Sequence, residues 1–174
     1  MSRAPALERD QVPEDIRALY DMVEKLPGAP RLTGKTLAHS PPALRLFLEV
    51  TRAMTTLTLD PRLRELAFVA VSRLNGSAIC DTFHSWLGRK VGLSVEQLAG
   101  LADPAASPAY REVERLVIRY AAQLTTTGRV DDAVHAALAA QLPTRQLVEL
   151  ALTVAAAQFS NRVNAALELD LEHP

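Results

Sequence analysis

The stretch Asn75-Gly76-Ser77-Ala78-Ile79-Cys80-Asp81-Thr82-Phe83-His84 holds the residue types best suited to chemistry. If the chain is helical beyond Gly76, positions 77, 80 and 84 are three and four residues apart and share one face. Cys80 and His84 then lie one turn from each other. A thiol needs a nearby base or positive charge to become a nucleophile at neutral pH, and an imidazole one turn away can supply one. Cys80 would also fall in the first turn of its helix, where the backbone dipole favours an anion. Glu65, on the preceding segment, is a candidate acid; with His84 it could move protons α to a carbonyl or protonate a carbanion after loss of CO₂. The plainer alternative makes Cys80 a small buried filler, His84 a core histidine and Glu65 a helix-start acid paired with Arg62 or Arg64.

The elements that must position these side chains read as helices throughout. Pro13-Glu14-Asp15 opens one that runs through Ile16, Leu19, Tyr20, Val23 and Leu26 to the stop at Pro27-Gly28. The stretch from Ala29 to His39 shows no clear period and reads as a connecting loop. Ser40-Pro41-Pro42 starts a second helix, to about Thr56, and Asp60-Pro61 starts a third that is apolar on more than one face. Asn75-Gly76 breaks it, and the helix bearing Cys80 and His84 follows, closed by Gly92. Ser94 and Gln97 form a capping-box pattern for a short helix ending near Ala102. Residues 103–108 read as a loop. A long amphipathic helix then ends at Thr127-Gly128, another spans Asp131 to Leu142, and Pro143-Thr144 opens a last long segment with a candidate break at Phe159 or Ser160. No stretch shows a strand pattern, so the expected class is all-α. Residues 1–12 read as a loose lead, and the chain of 174 residues as one domain. Arg64-Glu65-Leu66-Ala67 faintly echoes Val148-Glu149-Leu150-Ala151.

Composition narrows the function. Nineteen basic residues against twenty acidic ones, with no basic stripe, argue against a nucleic-acid partner. The single cysteine excludes an internal disulfide framework and fits a reducing cytosol. No apolar run follows Met1-Ser2-Arg3-Ala4-Pro5, and none is long enough to span a bilayer, so a cytoplasmic protein without a membrane partner is expected. There is no phosphate-binding glycine loop, nucleotide fingerprint or metal-ligand spacing, so no cofactor and no metal are expected. Several helices apolar on more than one face, and a small net charge, point to a homo-oligomer.

Taken together, Arg62-Leu63-Arg64-Glu65-Leu66, then Asn75-Gly76-Ser77-Ala78-Ile79-Cys80 with His84, then Gly92-Leu93-Ser94, resemble the signature region of the carboxymuconolactone decarboxylase and alkyl hydroperoxidase D-like (AhpD-like) superfamily. Phe159-Ser160-Asn161-Arg162-Val163 resembles its C-terminal helix, and the likeness covers about residues 40–168. The resemblance implies an AhpD-like helical bundle that assembles as a trimer or hexamer, with Glu65, Ser77, Cys80 and His84 at the site. In the peroxidase (peroxiredoxin-type) branch the motif is C-x-x-C-x-x-x-H. Its second cysteine attacks the peroxide and its first resolves the sulfenic acid as a disulfide. Cys80 matches the second cysteine, but the first position is Ser77, whose hydroxyl cannot form that bond. The serine reads either as natural or as an introduced, nearly isosteric replacement. Turnover with a small peroxide would therefore need an external thiol reductant or another subunit. The alternatives are a cofactor-free decarboxylase or isomerase of a small lactone or keto acid using Glu65 and His84, and a catalytically inactive helical assembly protein.

Overall fold

The structure, a computed structural model, describes residues 2–105 and 107–169. Every regular element among them is helical, as the absence of alternating patterns requires. The helices are α1 (Arg17–Val23), α2 (Gly28–Leu37), α3 (Pro41–Thr55), α4 (Pro61–Leu74), α5 (Ala78–Lys90), α6 (Val95–Ala99), α7 (Glu112–Thr127), α8 (Asp132–Ala139) and α9 (Thr144–Ala166). They divide into two compact units, one of residues 1–56 and 162–174 and the other of residues 57–161. Residue 106, in the expected loop 103–108, and residues 1 and 170–174 lie outside the described residues.

In the first unit, Val12, Ile16, Tyr20, Val23, Ala38, Leu44 and Leu48 form one buried cluster. Short 3-10 turns at Arg9–Gln11 and Glu14–Ile16 precede α1, and the N-terminal lead makes backbone hydrogen bonds from Arg3 N to Leu167 O and from Leu7 N to Lys35 O. The segment 29–39, expected as a loop, is instead the helix α2. Its buried face is Thr33, Gly34 and Thr36 rather than aliphatic, so no apolar period marks it. The two hydroxyls donate back to the carbonyls of Ala29 and Leu32. Pro30 sits in the first turn, where its missing N–H has no partner to lose. Gly34 is needed for closeness: a Cβ there would lie 2.6 Å from a methyl of Val23.

In the second unit, α4 is the central element, packed against α5 and α7. Asp60 caps it by accepting from Arg62 N at 2.8 Å, and Pro61 occupies its first position. Leu63, Leu66, Ala67, Phe68, Val69, Ala70 and Val71 are all buried, the burial on several sides expected of this helix. On α5, Leu87 is only half-buried. Ser94 and Gln97 make the reciprocal capping box, each bond 3.0 Å, at the start of α6. Beneath them, the buried Glu114 of α7 accepts from Arg62 at 3.1 Å and from Arg111 at 3.0 Å. The break expected near Phe159 or Ser160 is absent; α9 continues through both. Ser160 stays in the helix by donating to the Ala156 carbonyl at 2.6 Å.

Candidate functional site

The corner between α4 and α5 sets the positions of Ser77 and Cys80. Gly76 N donates to Arg73 O at 3.1 Å and Ser77 N to Ser72 O at 2.8 Å, the paired bonds of a Schellman helix end. That closure needs a left-handed residue, and Gly76, at φ 65°, supplies it. Asn75 Nδ2 donates to Gln158 Oε1 at 2.9 Å and to Asn161 Oδ1 at 3.1 Å, and Asn161 Nδ2 donates to Ser72 Oγ at 3.3 Å. These amides tie the corner to α9, a helix-bridging role for Asn161; Arg162 is exposed. Ser77 is thus both the residue after the α4 stop and the N-cap of α5, where its side chain caps no first-turn N–H. Cys80 is third in α5, inside the first turn, and is buried.

One turn further along α5, His84 Nδ1 lies 2.8 Å from Glu65 Oε2. Glu65 itself is only 2% exposed, and its other oxygen accepts from Arg64 Nε at 3.0 Å. The two pairings weighed as rivals for Glu65, structural with Arg64 and chemical with His84, are both made, one by each carboxylate oxygen. Arg62 serves elsewhere, reaching Glu114, Gln97 and the Gly92 carbonyl. The sequence reading missed Phe68, whose ring stacks on the His84 imidazole at 3.9 Å between centroids and 9° between planes. The signal was present: Phe68 is three residues beyond Glu65 and so on the same face of α4. Phe83 meets the same imidazole edge-on at 5.2 Å, and Trp86, exposed, carries Lys90 over its ring.

The arrangement can do acid–base work. If Glu65 accepts the Nδ1 hydrogen, the ring orientation is fixed and Nε2 is the nitrogen left to exchange protons. Arg73, paired with Asp81 at 3.1 Å, puts a positive charge near the start of α5. Among the described residues no group of three or more His, Cys, Asp or Glu could hold a metal ion. His39 bonds the Pro5 carbonyl, and Gln123, rather than His135, pairs with Asp131. A groove of about 570 Å³ opens between α4, the end of α6 and α7, lined by residues such as Ala70, Leu101, Leu116 and Ile118. Glu65, Ser77, Cys80 and His84 are not among its lining residues. No helix among the described residues is long and apolar enough to cross a membrane.

Comparison with known proteins finds likeness at the level of sequence family and of fold. The model of the carboxymuconolactone decarboxylase family matches residues 41–123, which include all four site candidates. The chain is 31% identical over 113 residues to the uncharacterized protein YnjA of Escherichia coli K12, covering 64% of this chain and 62% of that protein's length. A peroxidase-related protein with an alkylhydroperoxidase AhpD core from Ralstonia eutropha JMP134 superposes with a TM-score of 0.81 at 22% identity, over 98% of this chain and 92% of that one. A cysteine-to-alanine variant of the debrominase Bmp8, in complex with 2,3,4-tribromopyrrole, superposes with a TM-score of 0.79 at 19% identity, over 97% and 90%. At such identities the structural likeness speaks for the fold alone. Family match and fold agree: over residues 41–123 the chain is similar to the carboxymuconolactone decarboxylase family, and its fold is that of the AhpD-like neighbours.

Proposed function

We propose that this chain is a thiol-dependent hydroperoxide reductase in which Cys80 reacts with the peroxide and His84, held by Glu65, moves the protons. The observation that carries the reading is the 2.8 Å hydrogen bond between His84 Nδ1 and the buried Glu65 carboxylate, with Cys80 one turn earlier on the same helix. His84 Nε2 accepts the Cys80 proton, and the sulfur attacks the terminal oxygen of a hydroperoxide. The O–O bond breaks, and the departing alkoxide takes the proton back from the imidazolium and leaves as the alcohol. Cys80 is oxidised by two electrons to a sulfenic acid, and the hydroperoxide is reduced by the same two. One external thiol condenses with the sulfenic acid, releasing water and leaving a mixed disulfide. A second external thiol exchanges with that disulfide, releasing an external disulfide and the Cys80 thiol. Ser77 takes no redox part in this cycle. The peroxidase-related neighbour supports the reading at the level of the fold.

A second reading is favoured by one observation: the Glu65–His84 pair is complete without the thiol, and Cys80 is only 5% exposed. On that reading the pair shuttles a proton in a cofactor-free decarboxylation or isomerisation of a small lactone or keto acid, and Cys80 is a bystander. The debrominase neighbour shows that the fold is not confined to peroxides. Steady-state consumption of an organic hydroperoxide with a small-molecule thiol as reductant decides between them. The expected result is turnover that Cys80→Ser abolishes and His84→Ala slows about a hundredfold. Undiminished turnover in Cys80→Ser, or none in the parent protein, removes the thiol reading.

A further inference from the structure

We infer that Arg64 is a positioning residue of the relay: by pairing with one oxygen of Glu65 it keeps that side chain a carboxylate, so that the hydrogen of the Glu65–His84 hydrogen bond is supplied by the histidine. This rests on the reading above only for the use to which His84 is put. Residues adjacent in sequence on a helix do not face each other, so an Arg–Glu neighbour pair is not a routine helix contact. Here the Arg64 side chain turns to reach Glu65 nonetheless, with Nε 3.0 Å from Oε1, and the side chain is only 18% exposed. The carboxylate it meets is almost wholly out of water. In general a carboxylate in that position is favoured as the neutral acid unless a cation or donors face it. A guanidinium cannot give up its proton, so the charge it contributes is permanent.

The consequence lies at the other oxygen. With Glu65 ionised, Oε2 can only accept, so Nδ1 must carry the hydrogen and Nε2 is left bare. Without Arg64 the buried carboxylate takes up a proton from solvent at Oε2 and donates it to Nδ1. The ring hydrogen of neutral His84 passes to Nε2, and the nitrogen that should accept the Cys80 proton is blocked. The face-to-face Phe68 ring holds the imidazole plane against reorientation. Arg64 thereby selects the working tautomer without touching any reacting atom.

The test is nitrogen NMR of histidine-labelled protein, at a pH where the imidazoles are neutral, with His84→Ala assigning the signals. The expected result in the parent is a hydrogen on Nδ1 and a bare Nε2. Arg64→Gln should move the hydrogen to Nε2, and Arg64→Lys should return it to Nδ1. Alkylation of Cys80 by a neutral reagent should fall about tenfold or more in Arg64→Gln and recover in Arg64→Lys. A hydrogen on Nε2 in the parent overturns the inference without any variant, as does an Arg64→Gln protein that keeps Nδ1–H. A tautomer that moves as expected in a protein that consumes no hydroperoxide supports this role for Arg64 and defeats the peroxidase reading alone.

Discussion

Replacing Glu65 by glutamine tests whether the buried carboxylate holds both partners through its charge. The amide has nearly the same shape, so no cavity is made and packing is kept. What changes is electrostatic: Glu65 faces Arg64 at 3.0 Å and His84 at 2.8 Å, and the amide has only one oxygen with which to face either. A hydrogen bond to a charged group contributes about 1.5–3 kcal/mol, and the amide loses roughly one such interaction. Breaking a buried ion pair by removing one partner costs about 3–5 kcal/mol when the other is left stranded, but Arg64 retains some contact with water and the loss should be smaller. The expected destabilisation is about 2–3 kcal/mol, which for a chain of this size lowers Tm by about 4–12 °C. Urea unfolding with an unchanged slope against denaturant would measure it. Adding Arg64→Met should cost less in the Glu65→Gln background than in the parent, because the ion pair it would break is already gone. A Glu65→Gln protein within about 0.5 kcal/mol of the parent, the scatter of ordinary surface changes, would refute the argument.

Three further outcomes are expected. Ser77→Cys should place two thiols on one helical face, and mass spectrometry after mild peroxide should show loss of two hydrogens, where the parent shows oxygen added at Cys80. At Glu114, burial pushes the carboxyl up, but the Arg111 side chain and backbone N–H and the Arg62 guanidinium outweigh it and hold it below its ordinary value of 4.5. A depressed carboxylate contributes stability that is fully present above its unfolded value and lost as pH falls through the folded one. The stability gap between parent and Glu114→Gln should therefore be open at neutral pH and narrow progressively as pH falls below 4.5. Leu74, Trp86, Val148 and Leu152 are exposed, which supports the proposal of a homo-oligomer, trimeric or hexameric. Light scattering at micromolar concentration should give a multiple of the chain mass, and a value near the 18.9 kDa of one chain would contradict it.

The helices legible in the sequence were those with an aliphatic stripe or recognisable ends. Asp60-Pro61, Ser94 with Gln97, and Thr127-Gly128 each mark a boundary through local chemistry, which is why α4, α6 and α7 match expectation. The helix α2 was hidden because it buries threonines and a glycine, whose burial depends on Val23 and on hydroxyls turned back to the backbone. The pairing of Glu65 with His84 could be anticipated from spacing and family likeness. That Arg64 and His84 share one carboxylate could not, since sequence spacing says nothing of which oxygen meets which neighbour. Phe68 read as one more core residue on a helix buried on several sides; its spacing from Glu65 put it on the right face, and its 3.9 Å stack on His84 shows what it does there.

The central claim is that Cys80 is a peroxide-reactive thiol served by His84, and single-turnover trapping tests it most directly. The protein would be mixed with one equivalent of an organic hydroperoxide in the presence of a sulfenic-acid trap, and the trapped adduct followed by intact and peptide mass spectrometry. One adduct per chain, on Cys80, should form together with one equivalent of alcohol, and its rate should fall about a hundredfold in His84→Ala. An untouched Cys80 beside intact hydroperoxide, or an adduct that forms equally fast in His84→Ala, would contradict the claim.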